Sequence, residues 1–136
     1  FAVGCEALIR DLNTIKYSIN PYNVNRMTQA AGVAAIQDGA YYAANAQTII
    51  RTRERAVKAL EQLGFTVLPS KANFLFAASG TVDGETLYRE LKARGVLVRH
   101  FTKPLIQNFC RITVGTDEQM DILLGRIQEI LSEKGS

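Results

Sequence analysis

Residues 95–116 read GVLVRHFTKPLIQNFCRITVGT, and this stretch decides the fold. Two short apolar runs, Val96-Leu97-Val98 and Ile112-Thr113-Val114, read as β-strands joined by a loop. An arginine stands at the end of each, Arg99 closing the first run and Arg111 opening the second. A guanidinium is planar, permanently charged and shaped to grip carboxylate or phosphate with two parallel bonds, so half-burying one at a strand end is costly unless an anion meets it. Two such groups on neighbouring strands make an acidic small molecule the first ligand class to consider. For Arg111 the alternative is a structural salt bridge with Asp117 or Glu118.

Working outward, FTVLPSKANFLFAA (65–78) holds two short β runs around Pro69-Ser70. Asp83 or Thr81 caps a helix that runs to about Arg94 and ends at Gly95. After the arginines, Thr116 and Gln119 form a capping box that opens a last helix, to about Leu131. The order from Phe65 is strand, strand, helix, strand, strand, helix. It predicts an α+β layer, a small and mostly antiparallel sheet covered by helices on one face.

Upstream the pattern is helical. CEALIRDLNTIK (5–16) places Leu8, Ile9, Leu12 and Ile15 on one helix face. YSINPYNVN breaks it, because Pro21 forces Asn20 out of the helical region. Asn23 or Asn25 caps a second helix to about Gln37, whose Ala30, Ala31, Ala34 and Ala35 permit close packing. After an interruption at Asp38-Gly39, a long helix runs from Ala40 to Leu63, and Gly64 supplies a left-handed stop. At roughly 35 Å it is long enough to bridge two domains, or to belong to a bundle. The expected division is a helical segment over 1–63 and a small α+β domain over 64–136.

The 136 residues suffice for a packed core and should bury roughly two-thirds of the unfolded surface. The net charge of +3 is mild. Its cations are scattered except in Arg51-Thr52-Arg53-Glu54-Arg55, whose interleaved acid reads as a solvated helix face. No aromatic-rich RNA-binding motif is present, so nucleic acid is not an expected partner. Cys5 and Cys110 stand in apolar settings without a CxxC pair or a histidine cluster. They read as small, unbridged core residues of a cytoplasmic protein, with no metal site. No run approaches the roughly 18 apolar residues of a membrane span, and no signal peptide is read.

Ser70-Lys71 resembles the pair that carries the Schiff-base lysine of pyridoxal-phosphate enzymes, but no phosphate-binding loop follows it and Lys71 sits in a turn between strands, as a surface lysine would. Asn73, at the start of an apolar strand, either braces an arginine, meets a ligand or satisfies the turn. His100 either contacts an anion beside Arg99 or is an exposed strand-end residue, and a single histidine offers neither a triad nor a metal site. Tyr17, Tyr41 and Tyr42 read as packing residues, and Tyr22 in the Pro21 loop as the one reaching outward.

The strings KYSINPYNVN, SKANFLF and RGVLVRHF…CRITVGTDEQMD together resemble the histidinol-phosphate aminotransferases, a branch of the fold-type I pyridoxal-phosphate aminotransferases. The resemblance covers essentially the whole chain, as the C-terminal part of such an enzyme. It implies that Arg111 binds the substrate α-carboxylate, that Arg99 helps hold the phosphate of a phosphorylated amino-acid substrate, and that Asn73 supports the carboxylate-binding arginine. It also implies a Schiff-base lysine upstream of Phe1, so that these residues alone would be inactive and bind pyridoxal phosphate poorly, and a parent enzyme that is a homodimer. The helices before Gly64 would then leave an apolar patch and drive self-association through residues 1–60. A free-standing amino-acid or anion-binding regulatory module is the alternative.

Overall fold

A computed structural model describes residues 3–19 and 24–134. It comprises two compact units, Phe1–Ala40 and Tyr41–Ser136. The first holds α1 (Glu6–Ile19) and α2 (Arg26–Gln37). Asn25 is the N-cap of α2, its side-chain oxygen accepting from the Thr28 amide at 2.9 Å. Asn20, Pro21, Tyr22 and Asn23 lie outside the described residues.

No residue of α1 or α2 is buried. The apolar positions that predict the helices therefore form exposed faces: Leu8, Leu12, Ile15 and Ile19 on α1, and Met27, Val33 and Ile36 on α2. Cys5 is exposed, because the element it precedes has no core; only Cys110 is a core cysteine, and both thiols are free. Tyr17, Tyr41 and Tyr42 are likewise exposed instead of packed.

The long helix α3 spans Gly39–Gln62. The chain turns out of it at Gly64, whose φ of +81° lies in the region only glycine enters freely. The layer that follows contains β1 (Phe65–Val67), β2 (Phe74–Ser79), α4 (Gly84–Ala93), β3 (Arg99–His100), β4 (Cys110–Thr113) and α5 (Asp117–Lys134). The strand order is β1-β2-β4-β3 and every pairing is antiparallel. Asp83 caps α4 through the Thr86 amide, and Thr116 and Gln119 exchange the two bonds of a capping box at α5. The run Val96–Val98 is not strand; only Arg99 and His100 pair with β4.

Alternation sorts the sheet into two faces. Leu75, Ala77, Cys110 and Ile112 point inward and are buried with Ala56 and Leu60 of α3, Leu87 and Leu91 of α4, and Met120, Leu123, Ile127 and Ile130 of α5. Each large side chain removed from water there contributes about 1.5–3 kcal/mol. Burial pushes the Cys110 thiol up to about 11, and its Sγ donates to the Gly84 carbonyl. Among the described residues, no helix is long and apolar enough to cross a membrane.

The Arg51–Arg55 segment is not a wholly solvated face. Thr52 is buried and its hydroxyl donates to Asp117 at 2.9 Å; Arg55 pairs with Asp117 at 3.1 Å and with Asp121. The charges that interleave along the sequence divide around the helix, so Arg51 and Glu54 meet water while Thr52 and Arg55 clasp α5. At the other end of the layer, Arg94 joins α4 to α5 through Glu90 and Glu133.

Candidate functional site

The outer face of the sheet, away from the helices, carries the arginines. In β4 the burial pattern alternates, so Cys110 and Ile112 are buried while Arg111 and Thr113 are exposed. The register sets Arg111 opposite Phe76 of β2 on one side and opposite Arg99 of β3 on the other. Directly opposed residues of an antiparallel pair share a face. Phe76, Arg111 and Arg99 therefore form one row across three strands.

Aromatic rings make up the surroundings of this row. The Arg111 guanidinium carbon lies 5.6 Å from the Phe74 ring centroid, and that of Arg99 lies 5.5 Å from Phe101. Phe76 stacks on Phe109 at 4.8 Å and meets Phe101 edge-on at 6.0 Å. Like charges directly opposite destabilise a sheet. Ring faces offset this by about 0.5–1 kcal/mol each at exposed positions. Neither arginine joins an ion pair among the described residues. The salt bridge considered for Arg111, with Asp117 or Glu118, is absent among the described residues, and Asp117 is engaged by Thr52 and Arg55 instead. Their hydrogen bonds, with that of Thr52 foremost, hold its carboxyl below the ordinary carboxylate range.

Arg111 opens onto a cleft of about 470 Å³ whose lining includes Phe74, Phe76, Phe101, Ile106 and Lys71. A cation over an apolar floor suits a ligand with an acidic group and an uncharged body. Arg99 borders a neighbouring cleft with Tyr88, His100 and Lys103. Asn73 sits at the end of the same sheet, where its carbonyl accepts from the Val114 amide at 2.9 Å, and its exposed side chain makes no hydrogen bond to Arg111. His100 ends β3 and lines the same cleft as Arg99, but it is tied down by contacts of its own. As the register partner of Cys110 it faces the helices, stacks on Tyr88 and bonds the Gln107 carbonyl through Nε2 at 2.7 Å.

Local spacing does not reveal the aromatic floor or the place of Lys71 in the lining of the Arg111 cleft. The alternation of Phe74 and Phe76 against that of Arg111 and Thr113 was the available signal, since period two places all four on one face.

Residues 1–127 match the family model described as aminotransferase class I and II. The histidinol-phosphate aminotransferase of Clostridium beijerinckii is 48% identical over 132 residues, 97% of this chain and 37% of the relative. That of Brachyspira hyodysenteriae is 46% identical over 131 residues, with 96% and 37% covered. This chain thus spans about 37% of the length of these curated relatives. Among solved structures, the histidinol-phosphate aminotransferase from Clostridium acetobutylicum aligns with 88% of this chain and 37% of its own, at a TM-score of 0.77 and 24% identity. Aspartate aminotransferase from Thermotoga maritima aligns with 96% and 34%, at a TM-score of 0.79 and 20% identity. The last two are likenesses of fold. Together with the family match over nearly the whole sequence, they lead to one conclusion: the chain belongs to the class I and II aminotransferases.

Proposed function

We propose that this chain is the substrate-recognition part of a histidinol-phosphate aminotransferase, which moves an amino group between histidinol phosphate and 2-oxoglutarate. The observation that carries the reading is the in-register pair Arg99 and Arg111 on the open sheet face, without carboxylate partners among the described residues. Arg111 binds the carboxylate of the keto-acid and amino-acid partner against the aromatic floor; histidinol phosphate has no carboxylate, so its phosphate meets the same cleft, with Arg99 contributing to holding it. Asn73, immediately before β2, is assigned to supporting the carboxylate-binding arginine once substrate is bound. Together these groups fix the substrate's orientation, which is this region's share of catalysis.

Pyridoxal phosphate, when bound, supplies the electron sink that amino transfer requires. The residues lining the Arg111 cleft do not fit the task of holding it. No acid among them is available to pair with a pyridine nitrogen, and Lys71 is exposed on a turn. We take the Schiff-base lysine and the cofactor's partners to lie outside this cleft, and the chain by itself to be catalytically silent. We also take the whole enzyme as a homodimer, and the exposed apolar faces of α1 and α2 as surfaces through which this chain by itself self-associates.

The test is made in the full-length protein. Arg111→Ala is expected to lower kcat/KM by about 3 kcal/mol of transition-state stabilisation, a loss beyond a hundredfold. Unchanged kinetics would remove Arg111 from the site. Arg99→Ala is expected to harm turnover of histidinol phosphate more than that of histidinol; an equal loss would sink its phosphate role.

A further inference from the structure

The β1–β2 turn brings another cation to the cleft of Arg111. Lys71 lines it together with Arg111, Phe74, Phe76 and Phe101. The backbone under Lys71 is held from both sides. Ser70 Oγ donates to the Phe74 carbonyl at 2.7 Å and accepts from the Ala72 amide at 3.1 Å. Arg53 Nη1, reaching from α3, donates to the Ala72 carbonyl at 2.9 Å. A residue whose two neighbours are pinned in this way has little backbone freedom left to lose on meeting a ligand. Lys71 joins no ion pair among the described residues, and no carboxylate lines the cleft. Cations gathered over an apolar wall focus a positive potential into the space between them.

We infer that Lys71 is a specificity-determining residue, whose ammonium, entering the cleft that Arg111 also lines, favours a phosphate monoester over a carboxylate there. The inference rests on the aminotransferase reading above. Such an enzyme admits a phosphate ester in one half-reaction and a dicarboxylic keto acid in the other. The ester carries about −1.5 to −2 near neutral pH, against one charge per carboxylate. A guanidinium alone grips either group by its planar fork. A compact ammonium has no such shape preference and adds charge alone, so its attraction grows with the charge of the group it faces. Lys71 thereby separates the two substrates by charge, and takes no part in covalent chemistry.

The experiment uses the full-length holoenzyme with Lys71→Gln and Lys71→Arg, compared with Arg111→Ala. For Lys71→Gln the KM for histidinol phosphate is expected to rise about tenfold, with kcat and the KM for 2-oxoglutarate changing less than about threefold. Inorganic phosphate should weaken as a competitive inhibitor by a similar factor, and Lys71→Arg should restore most of both losses. The inference is overturned if Lys71→Gln leaves the histidinol phosphate KM unchanged, if both substrates suffer equally, or if the arginine variant behaves like the glutamine one. Arg111→Ala tells apart the two ways of failing. A silent Lys71→Gln beside a crippled Arg111→Ala removes Lys71 alone, whereas silence in both removes substrate from this cleft and the reading beneath it.

Discussion

The helices before Ala40 and the layer after it are built from comparable apolar patterns and end in opposite states. Leu12, on the apolar face of α1, is 42% exposed, while Leu60, on that of α3, is 0% exposed. Helical spacing creates an apolar face in both cases, but a face is buried only if a second surface meets it. For α3, α4 and α5 the inner face of the sheet is that surface. Nothing in α1 or α2 is buried, so their stability rests on helix propensity, the Asn25 cap and whatever covers them.

The largest expected effect separates the regions directly. Leu60→Ala should cost about 3 kcal/mol by urea unfolding, because it leaves a cavity in a closed core. Leu12→Ala should cost less than about 0.5 kcal/mol. A cost near 2 kcal/mol at Leu12 would show that its face is covered in solution, and a concentration-dependent mass by light scattering would identify a second copy as the cover.

One substitution made in both regions should change sign. At Gly84 an added Cβ would stand 2.5 Å from the Gln107 carbonyl oxygen and 2.8 Å from the Asn108 carbonyl carbon. Backbone cannot swing aside, so Gly84→Ala is expected to destabilise by about 1–3 kcal/mol and to loosen the loop that presents Phe101 and Ile106. At Gly32 on α2 nothing lies within 4 Å of that position. There the alanine should stabilise by up to about 1 kcal/mol through helix propensity. Thermal unfolding of the two variants checks both signs.

The smallest effect concerns acid. Asp117 clasps α3 to α5, and its carboxyl is held below the ordinary range, chiefly by the Thr52 hydroxyl and then by Arg55. A depressed native value contributes stability above the unfolded value near 4, which is lost as the pH falls through the native value. Asp117→Asn should therefore flatten the decline of Tm below about pH 4 and lower Tm slightly at pH 7. An unaltered slope would show that the clasp does not form in solution.

Much of the fold was legible because its signals are local. Asn25, Asp83 and the Thr116–Gln119 box bond within three residues, and Gly64 and Gly95 meet a conformational need of their own backbone. The paired arginines were legible as a candidate site for the same reason, each standing at the edge of its own apolar run. What escaped depends on residues far apart in the chain. Thr52 and Arg55 read as solvated until α5 is laid beside them, 62 to 66 residues away. The ties of His100 to Tyr88 and to the Gln107 carbonyl join residues several positions apart and leave no signal in the local sequence. Lys71 looked like any turn lysine, because its tie to α3 runs through the Ala72 carbonyl and Arg53.

By itself the sequence determined the elements and their order, the caps and stops that bound them, and the motifs that mark the aminotransferase family. Those follow from side-chain chemistry and spacing within a few residues. Only the tertiary structure decided that Arg99 and Arg111 stand opposite each other with Phe76 beyond, and that Lys71 shares a cleft with one of them. Strand register decides this, because a slip of one residue would send the same guanidiniums into the core face.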